Sequence, residues 1–389
     1  MPSLGPRSAV PLLVGLVVGV LAAAVLVPLA PGATTVGPAV ASAGSRPEPE
    51  PVASGAVRLP PCGPAVDAMT PRARLAQRLM VGVDAGDPRG TVEMVQDTQV
   101  GGVFLGGNAT RLLRGRALRA LQAVARVPVA VAVDDEGGRV QRIDDLDGEL
   151  PSALRMARRS PEQVRELGRT RGVALRDRGI TMNLAPTVDL GGQPAGAVIG
   201  DRAFSTDPDV VSRYAGAFAG GLRDAGVFPV LKHFPGHGRA NGDSHRGRVT
   251  TPSLANLRGA DLRPYADLLG DGATGVMVGH LDVPGLTDGL PSSLTPQVYA
   301  LLRDDYGFDG LVLTDDLGAM KAVTGTFALP EAVLRALAAG ADMALWSSGG
   351  PVAPVLDELE RALSDGRLDP VANDRAVTRV LAAKDVCSR

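Results

Sequence analysis

Short runs of apolar residues recur along most of the chain, and glycine, proline or aspartate bounds each run, as is typical of buried β-strands. Eight such runs lie at residues 79–83, 102–105, 129–133, 181–185, 228–231, 275–278, 311–314 and 343–346. Segments with the 3.6-residue period of amphipathic helices lie between most of them, among them residues 161–178, 208–224, 295–306 and 330–339. This pattern predicts strands that alternate with helices.

The alternation determines the predicted fold class. Consecutive β-α-β units connect parallel strands through right-handed crossovers, so the sheet should be parallel and covered by helices. Eight units over about 325 residues favour an α/β fold of the (β/α)8 TIM-barrel type, a single catalytic domain, over an open sheet. In such a barrel the active site lies at the C-terminal ends of the strands.

The first 64 residues differ from the rest of the chain. Residues 9–30 are almost wholly apolar, with Arg7 before them and small residues at 41–43, so residues 1–43 are predicted to be a signal peptide. An N-terminal membrane anchor is the alternative, because about 20 apolar residues can span a bilayer. Residues 44–64 are rich in proline and are predicted to be a linker, which leaves 65–389 for the barrel. Both interpretations predict an exported protein, either secreted or associated with the cell envelope.

Composition narrows the classes of partner. The chain has 45% apolar and 21% charged residues, a net charge of −2 and only 3% aromatic residues. It therefore offers neither the basic surface nor the stacking platforms of a protein that binds nucleic acid. Its two cysteines, Cys62 and Cys387, border the predicted domain, and in an exported protein they are expected to form a disulfide, with two free thiols as the alternative.

Polar side chains cluster at the ends of the predicted strands. They are Asp134 and Glu136 after the third strand, Asn183 and Asp189 in and after the fourth, Lys232 and His233 after the fifth, His280 after the sixth, and Asp315 and Asp316 after the seventh. Three of the four histidines lie between residues 233 and 245, next to one of only three lysines among 40 basic residues. In a chain so rich in arginine, a lysine at this point indicates a site that requires a compact ammonium group.

Carboxylates at opposing strands, an ammonium group and histidines match the requirements of glycoside hydrolysis, which needs a nucleophile, a proton donor and groups that bind hydroxyls. A phosphate-binding barrel is disfavoured, because the loops after the last two strands carry Asp315, Asp316 and Trp346 rather than a glycine-rich cradle. A metal site made of His233, His237 and His245 is also disfavoured, because the Pro-Gly loop has no helix to align the ligands. No cofactor is expected.

Four motifs then identify a family. They are Asp134-Asp-Glu-Gly-Gly-Arg-Val-Gln-Arg142, Ile199-Gly-Asp-Arg-Ala-Phe-Ser205, Lys232-His-Phe-Pro-Gly-His-Gly238 followed by Asp243-Ser-His245, and Leu313-Thr-Asp-Asp-Leu317. With these, the chain resembles the family 3 glycoside hydrolases, specifically the single-domain β-N-acetylglucosaminidases. The resemblance implies a (β/α)8 barrel and a retaining mechanism with a covalent glycosyl-enzyme intermediate.

The resemblance also implies a role for each matching residue. Asp315 would be the nucleophile, His245 the general acid/base, and Asp243 the carboxylate that holds His245. The residues that bind the sugar in the innermost subsite would be Asp134, Arg142, Arg202, Lys232 and His233. His237 is expected to support its own loop rather than touch substrate, and Asp316 to face away from the nucleophile, because adjacent strand residues point to opposite sides.

The predicted function is an exo-acting β-N-acetylglucosaminidase that removes terminal β-linked GlcNAc from cell-wall (peptidoglycan) fragments and acts as a monomer. A broader β-glycosidase is disfavoured, since many two-domain relatives carry their acid/base on a further domain for which this chain has no room. A phosphorylase is a second alternative, because a histidine acid/base does not repel an incoming phosphate. A non-catalytic wall-binding barrel is the third.

Overall fold

The computed structural model describes residues 62–107, 110–114, 117–270 and 272–387. The predicted signal peptide or anchor, and the predicted linker as far as residue 61, lie outside these ranges. The first helix begins at Gly63, so the folded part starts slightly before the predicted boundary at 65. Within the described ranges, no helix has the length and apolarity needed to cross a membrane.

The strands form two groups. The barrel strands are Leu79–Val83 (β1), Gly102–Leu105 (β2), Ala130–Val133 (β3), Met182–Asn183 (β4), Phe228–Phe234 (β5), Gly275–Val278 (β7), Val312–Thr314 (β9) and Ala344–Trp346 (β10). Two short strands, Val249–Thr250 (β6) and Leu281–Asp282 (β8), pair with each other outside the barrel.

The α-helices in the described ranges are Gly63–Asp67 (α1), Pro71–Gln77 (α2), Pro88–Thr98 (α3), Thr110–Leu113 (α4), Ala117–Val124 (α5), Asp144–Asp147 (α6), Ala153–Met156 (α7), Pro161–Asp177 (α8), Pro208–Asp224 (α9), Leu254–Arg258 (α10), Arg263–Leu268 (α11), Pro296–Ala300 (α12), Lys321–Thr324 (α13), Leu329–Ala339 (α14), Ala353–Ser364 (α15) and Pro370–Ala383 (α16). Several begin at a polar cap followed by proline, which fits the first turn because its missing N–H has no partner there. At α8, the Ser160 hydroxyl accepts from the Gln163 backbone N–H, and the Gln163 side chain accepts from the Ser160 N–H.

The eight barrel strands form one parallel sheet in the order β10-β1-β2-β3-β4-β5-β7-β9. The first and last strands in sequence, β1 and β10, are paired in register from Leu79 opposite Ala344 to Val81 opposite Trp346. A parallel bridge between Leu313 and Met343 brings β9 against the start of β10 and completes the ring. The predicted (β/α)8 barrel is therefore confirmed.

Side chains alternate across the barrel wall, as the period of two requires. Met80, Ala132, Met277, Leu313 and Leu345 belong to the cluster inside the barrel. Their strand neighbours, such as Val81, Val133, Val278 and Trp346, pack in the larger cluster between the strands and the surrounding helices. Both faces of each strand are buried, which explains why the strands are continuous apolar runs in the sequence.

The N-terminal ends of the strands form the barrel floor, and α16 packs against it. Val380 joins the cluster inside the barrel, and Val377 and Leu381 pack with Val66 of α1. Cys62 and Cys387 are joined by a disulfide with their Cα atoms 5.0 Å apart, as the sequence predicts. The two borders of the domain therefore meet beneath the floor.

Candidate active site

The C-terminal ends of the barrel strands surround a cavity of about 610 Å³. The eight residues that the sequence assigns to catalysis and sugar binding all line it: Asp134, Arg142, Arg202, Lys232, His233, Asp243, His245 and Asp315. They come from segments as far apart in sequence as β3 and β9. The barrel therefore brings the residues of the four sequence motifs together around one cavity. In the described ranges, no group of three or more His, Cys, Asp and Glu side chains is arranged to hold a metal ion.

Four residues at the inner wall, Asp134, Glu136, Arg202 and Lys232, form what we call the site cluster. The Lys232 ammonium contacts the Asp134 carboxylate and lies 2.5 Å from Glu136 Oε1. Arg202 donates two hydrogen bonds of 2.7 Å to the two oxygens of Glu136. Burial would raise the pKa of Glu136, but the charges of Arg202 and Lys232 hold that pKa well below its usual range. A compact ammonium fits between two carboxylates, which accounts for lysine at 232.

Lys232 and His233 lie within β5 itself, since this strand runs to Phe234 rather than ending at residue 231 as predicted. A rigid strand therefore fixes both side chains. The Lys232 side chain is buried although it is charged, because its ammonium meets Asp134 and Glu136.

Asp189 orients His233. The carboxylate of Asp189 lies 2.6 Å from His233 Nδ1 and also accepts the backbone N–H groups of His233 and His237 at 3.3 and 2.6 Å. Burial opposes ionisation of Asp189, but His233 lowers its pKa. With Nδ1 held by a carboxylate, His233 turns Nε2 toward Arg202, 3.4 Å from its Nη2 atom. This leaves the ring in one orientation at the cavity wall.

Arg142 reaches the site from the loop after β3. Its Nη2 atom lies 3.9 Å from Asp134 Oδ2, and its Nε atom has no hydrogen-bond partner within the protein. The preceding segment is fixed by Asp135, whose carboxylate accepts the backbone N–H of Arg142 at 2.9 Å. Asp135 is therefore a support for the loop, and Arg142 lines the cavity with its Nη1 atom donating to the Gln141 carbonyl at 2.8 Å.

Asp315 follows β9 and is buried, with its backbone N–H donated to the Val278 carbonyl at 2.9 Å. Burial would raise the pKa of its carboxyl, but His233 and His280 together lower it below its usual value. A lowered pKa means that the Asp315 carboxylate is ionised near neutral pH. The neighbouring Asp316 instead supports the turn after the strand, because its Oδ1 atom accepts the backbone N–H groups of Gly318, Ala319 and Ser347 at 2.9–3.1 Å.

His245 and Asp243 face the cavity from the loop after β5. The His245 ring nitrogen Nδ1 lies 3.0 Å from Asp243 Oδ1, which also accepts the His245 backbone N–H at 3.0 Å. Burial works against ionisation of Asp243, but these hydrogen bonds lower its pKa. The His245 side chain is 62% exposed, in contrast to the buried Asp315.

The sequence reasoning omitted two important carboxylates from the site. Glu136 shares the face of Asp134 because it lies two residues further on, and this spacing could have identified it. In the sequence, Asp189 is identifiable only as a polar residue after β4, because its pairing with His233 depends on the fold.

The two histidines outside the predicted site are both buried. His237 lines the cavity, but neither ring nitrogen has a hydrogen-bond partner within the protein. His280 lies between the Ser293 hydroxyl at 2.7 Å and the Asp316 carbonyl at 2.9 Å, and so supports the strand-end backbone.

Comparison with known proteins agrees with this geometry. The model of the glycosyl hydrolase family 3 N-terminal domain matches residues 70–383. The chain is 48% identical to Beta-hexosaminidase LpqI of Mycobacterium tuberculosis, over 93% of this chain and 95% of that protein. A glycosyl hydrolase of the GH3 family from Mycobacterium smegmatis superposes with a TM-score of 0.79 at 49% identity, over 82% of this chain and 98% of that one. A family 3 β-N-acetylglucosaminidase from Paenibacillus gives a TM-score of 0.75 at 31% identity, over 82% of this chain and 63% of that one.

Proposed function

The chain belongs to glycosyl hydrolase family 3 and is a glycoside hydrolase, and from this premise we propose that it is an exo-acting, retaining β-N-acetylglucosaminidase. The single observation that carries the proposal is that one cavity is lined both by the buried Asp315, whose pKa is lowered, and by the paired Asp243 and His245. Similarity to proteins named as β-hexosaminidase and β-N-acetylglucosaminidase supports GlcNAc as the sugar.

In the first step Asp315 attacks the anomeric carbon of the terminal sugar. His245 donates its proton to the glycosidic oxygen, so the bond to the leaving sugar breaks and a covalent bond to Asp315 forms. Asp243, 3.0 Å from Nδ1, would fix the orientation of the ring so that Nε2 is the nitrogen that faces the substrate. Nearby cationic and histidine groups keep Asp315 ionised for this attack.

In the second step the neutral His245 accepts a proton from water. The water oxygen attacks the anomeric carbon, the bond to Asp315 breaks, and the sugar leaves with its original β configuration. A histidine suits both steps, because its unperturbed pKa of about 6.5 allows it to donate and to accept near neutral pH. The 62% exposure of His245 is compatible with access of water to this position.

The sugar hydroxyls and the N-acetyl group would be bound by Asp134, Arg142, Arg202, Lys232 and His233. Asp134 keeps 23% of its side chain exposed, and Arg142 keeps 21%, so both can meet a ligand. Glu136 is nearly inaccessible and saturated by Arg202 and Lys232, so it serves to hold those two cations in place. A charged and rigid inner wall with one open face fits a single terminal sugar.

For the natural substrate we propose peptidoglycan fragments with a terminal β-linked GlcNAc. The support is the predicted export of the chain, which would bring the enzyme to the cell wall.

A panel of chromogenic glycosides tests the activity. We expect the aryl β-GlcNAc substrate to be hydrolysed faster than the β-glucoside, with the rate unchanged by phosphate and with no sugar 1-phosphate formed. Faster turnover of the glucoside would indicate a broader β-glycosidase, and phosphate-dependent product would indicate a phosphorylase. Binding of wall fragments by pure protein without any hydrolysis would contradict an enzymatic role.

A further inference from the structure

The loop that carries His245 is anchored at its neighbour. His245 has 62% of its side chain exposed, whereas Ser244 is only 3% exposed. The Ser244 hydroxyl donates to the Met320 thioether sulfur at 3.4 Å, and the Ser244 carbonyl accepts the backbone N–H of Ala322 at 3.0 Å. The acid/base loop therefore meets the segment that follows Asp315 directly beside the exposed histidine.

The segment on the other side of this contact is rigid. Met320 lies five residues after Asp315, is 8% exposed and lines the same cavity. Asp316 fixes the turn before it through the N–H groups of Gly318 and Ala319. The Met320 carbonyl accepts from Val323 and Thr324 at 3.0 Å, at the start of α13. The position of Met320 relative to Asp315 is therefore determined by hydrogen bonds along the chain.

We propose that the contact between Ser244 and Met320 is a latch that sets the distance between the acid/base loop and the nucleophile, which makes Met320 a positioning residue for His245. Asp243 orients the ring of His245, and the latch fixes the loop that carries the ring. The proposal rests on the proposed function, since it requires His245 to transfer the proton. Catalysis is sensitive to such placement, because a displacement of about 1 Å can cost about 100-fold in rate.

Met320→Leu tests the latch, because leucine has a similar volume but no hydrogen-bond acceptor. We expect kcat/KM for a β-linked GlcNAc disaccharide, whose leaving group needs a proton, to fall roughly 3- to 10-fold. For an aryl β-GlcNAc with a dinitrophenol leaving group, which needs no proton, kcat/KM should change less than about 2-fold. Ser244→Ala should show the same difference between the two substrates. The double variant should lose no more kcat/KM for the disaccharide than either single variant, because both changes break the same contact.

The chain offers a control in α3, where the Thr98 hydroxyl lies 3.4 Å from the Met94 sulfur while it donates to the Met94 carbonyl at 2.6 Å. Met94→Leu makes the same substitution next to a hydroxyl group but outside the cavity lining, so it should leave kcat/KM for both substrates unchanged. Equal losses on the two substrates in Met320→Leu would mean that Met320 only lines the sugar pocket, and would overturn the latch. The latch would also be overturned if the losses in kcat/KM of the two single variants multiplied in the double variant. It would be overturned as well if Met94→Leu lowered kcat/KM in the same way as Met320→Leu.

His245→Ala, measured alongside, separates this proposal from the proposed function. If His245→Ala lowers kcat/KM equally for the disaccharide and the aryl substrate, the acid/base assignment is wrong and the latch proposal fails with it. If His245→Ala lowers kcat/KM mainly for the disaccharide and the latch variants do not, only the latch proposal is wrong. Thermal unfolding of each variant shows whether it is folded. If Met320→Leu does not fold, the kcat/KM values of Ser244→Ala on the two substrates test the latch instead.

Discussion

The two ends of the barrel both bury charged residues, but they use them differently. At the floor, Arg78, Arg303, Asp342, Asn373 and Arg379 form what we call the floor cluster. Asp342 is fully buried and accepts from Arg303 and Arg379 at 2.7 and 2.9 Å. The Arg78 guanidinium donates to Asn373 and to three backbone carbonyls, and burial lowers its pKa to about 10. These charged groups face one another and the backbone.

At the opposite end, the site cluster leaves capacity for a ligand. Arg142 has a buried Nε atom without a partner in the protein, and Asp134 and Arg142 remain partly open to the cavity. The comparison shows that burial of charge alone does not identify an active site. A better indication is a cavity lined by partly exposed charged side chains, and here it lies at the C-terminal ends of the strands.

The largest effect we expect at the site end comes from Asp315→Asn. This change removes the proposed nucleophile, so kcat should fall by about 10³-fold or more for good and poor leaving groups alike. Asp316→Asn is the control, because asparagine keeps an oxygen for the turn, and it should retain most of the activity.

Mass spectrometry of the trapped intermediate in His245→Ala provides the check. Added sugar mass should lie on the peptide that contains Asp315, and within that peptide on Asp315 itself. Sugar attached to Asp134 or Asp316 would refute the assignment of the nucleophile.

At the floor, Asp342→Asn should change stability rather than chemistry. It removes a buried carboxylate from between two arginines, and breaking such a pair typically costs about 3–5 kcal/mol of unfolding free energy. Urea titration measures this loss, with kcat per folded molecule unchanged within about 2-fold. Glu331→Gln, in the exposed pair with Arg335, is the comparison and should cost less than about 1 kcal/mol. A fall in kcat of folded Asp342→Asn would show that the two ends are coupled.

The smallest effect concerns pH, and it comes from the histidines under the site. Burial lowers the pKa values of His237 and His280, so below about pH 6.5 the unfolded chain binds protons that the folded chain does not. Stability should therefore decrease as the pH falls below about 6.5, by at most about 1.4 kcal/mol per pH unit for each histidine. Urea titrations at about pH 7.5 and 5.5 should show a shallower slope for His280→Gln than for the wild type. An identical slope would mean that His280 is already protonated in the fold.

Most of the barrel could be predicted from the sequence, because a strand buried on both faces is a continuous apolar run. Strands β1, β2 and β7 have the predicted bounds. Strand β5 is three residues longer than predicted. Its end carries Lys232 and His233, and polar residues interrupt the apolar run by which a buried strand is identified. They are compatible with a buried strand here because the Lys232 charge is paired inside the fold. The short pair β6 and β8 was missed, because two residues carry no periodicity.

The candidate site was predictable where a residue type follows a strand and matches a motif, as Asp315 and Lys232 do. It was not predictable where a role depends on a partner distant in sequence. Asp189 meets His233 across 44 residues, and Ser244 meets Met320 across 76. Neither pairing leaves a local pattern, because the fold alone brings the two segments together.

The disulfide beneath the floor places both ends of the folded domain on one side of the barrel. Cys62 packs with Val66, Val377 and Leu381, on the side of the barrel away from the cavity. A probe attached close to Cys62 or Cys387 would therefore lie at the floor. The mouth of the cavity, at the opposite end of the barrel, would stay clear of the probe and open to a polymeric substrate.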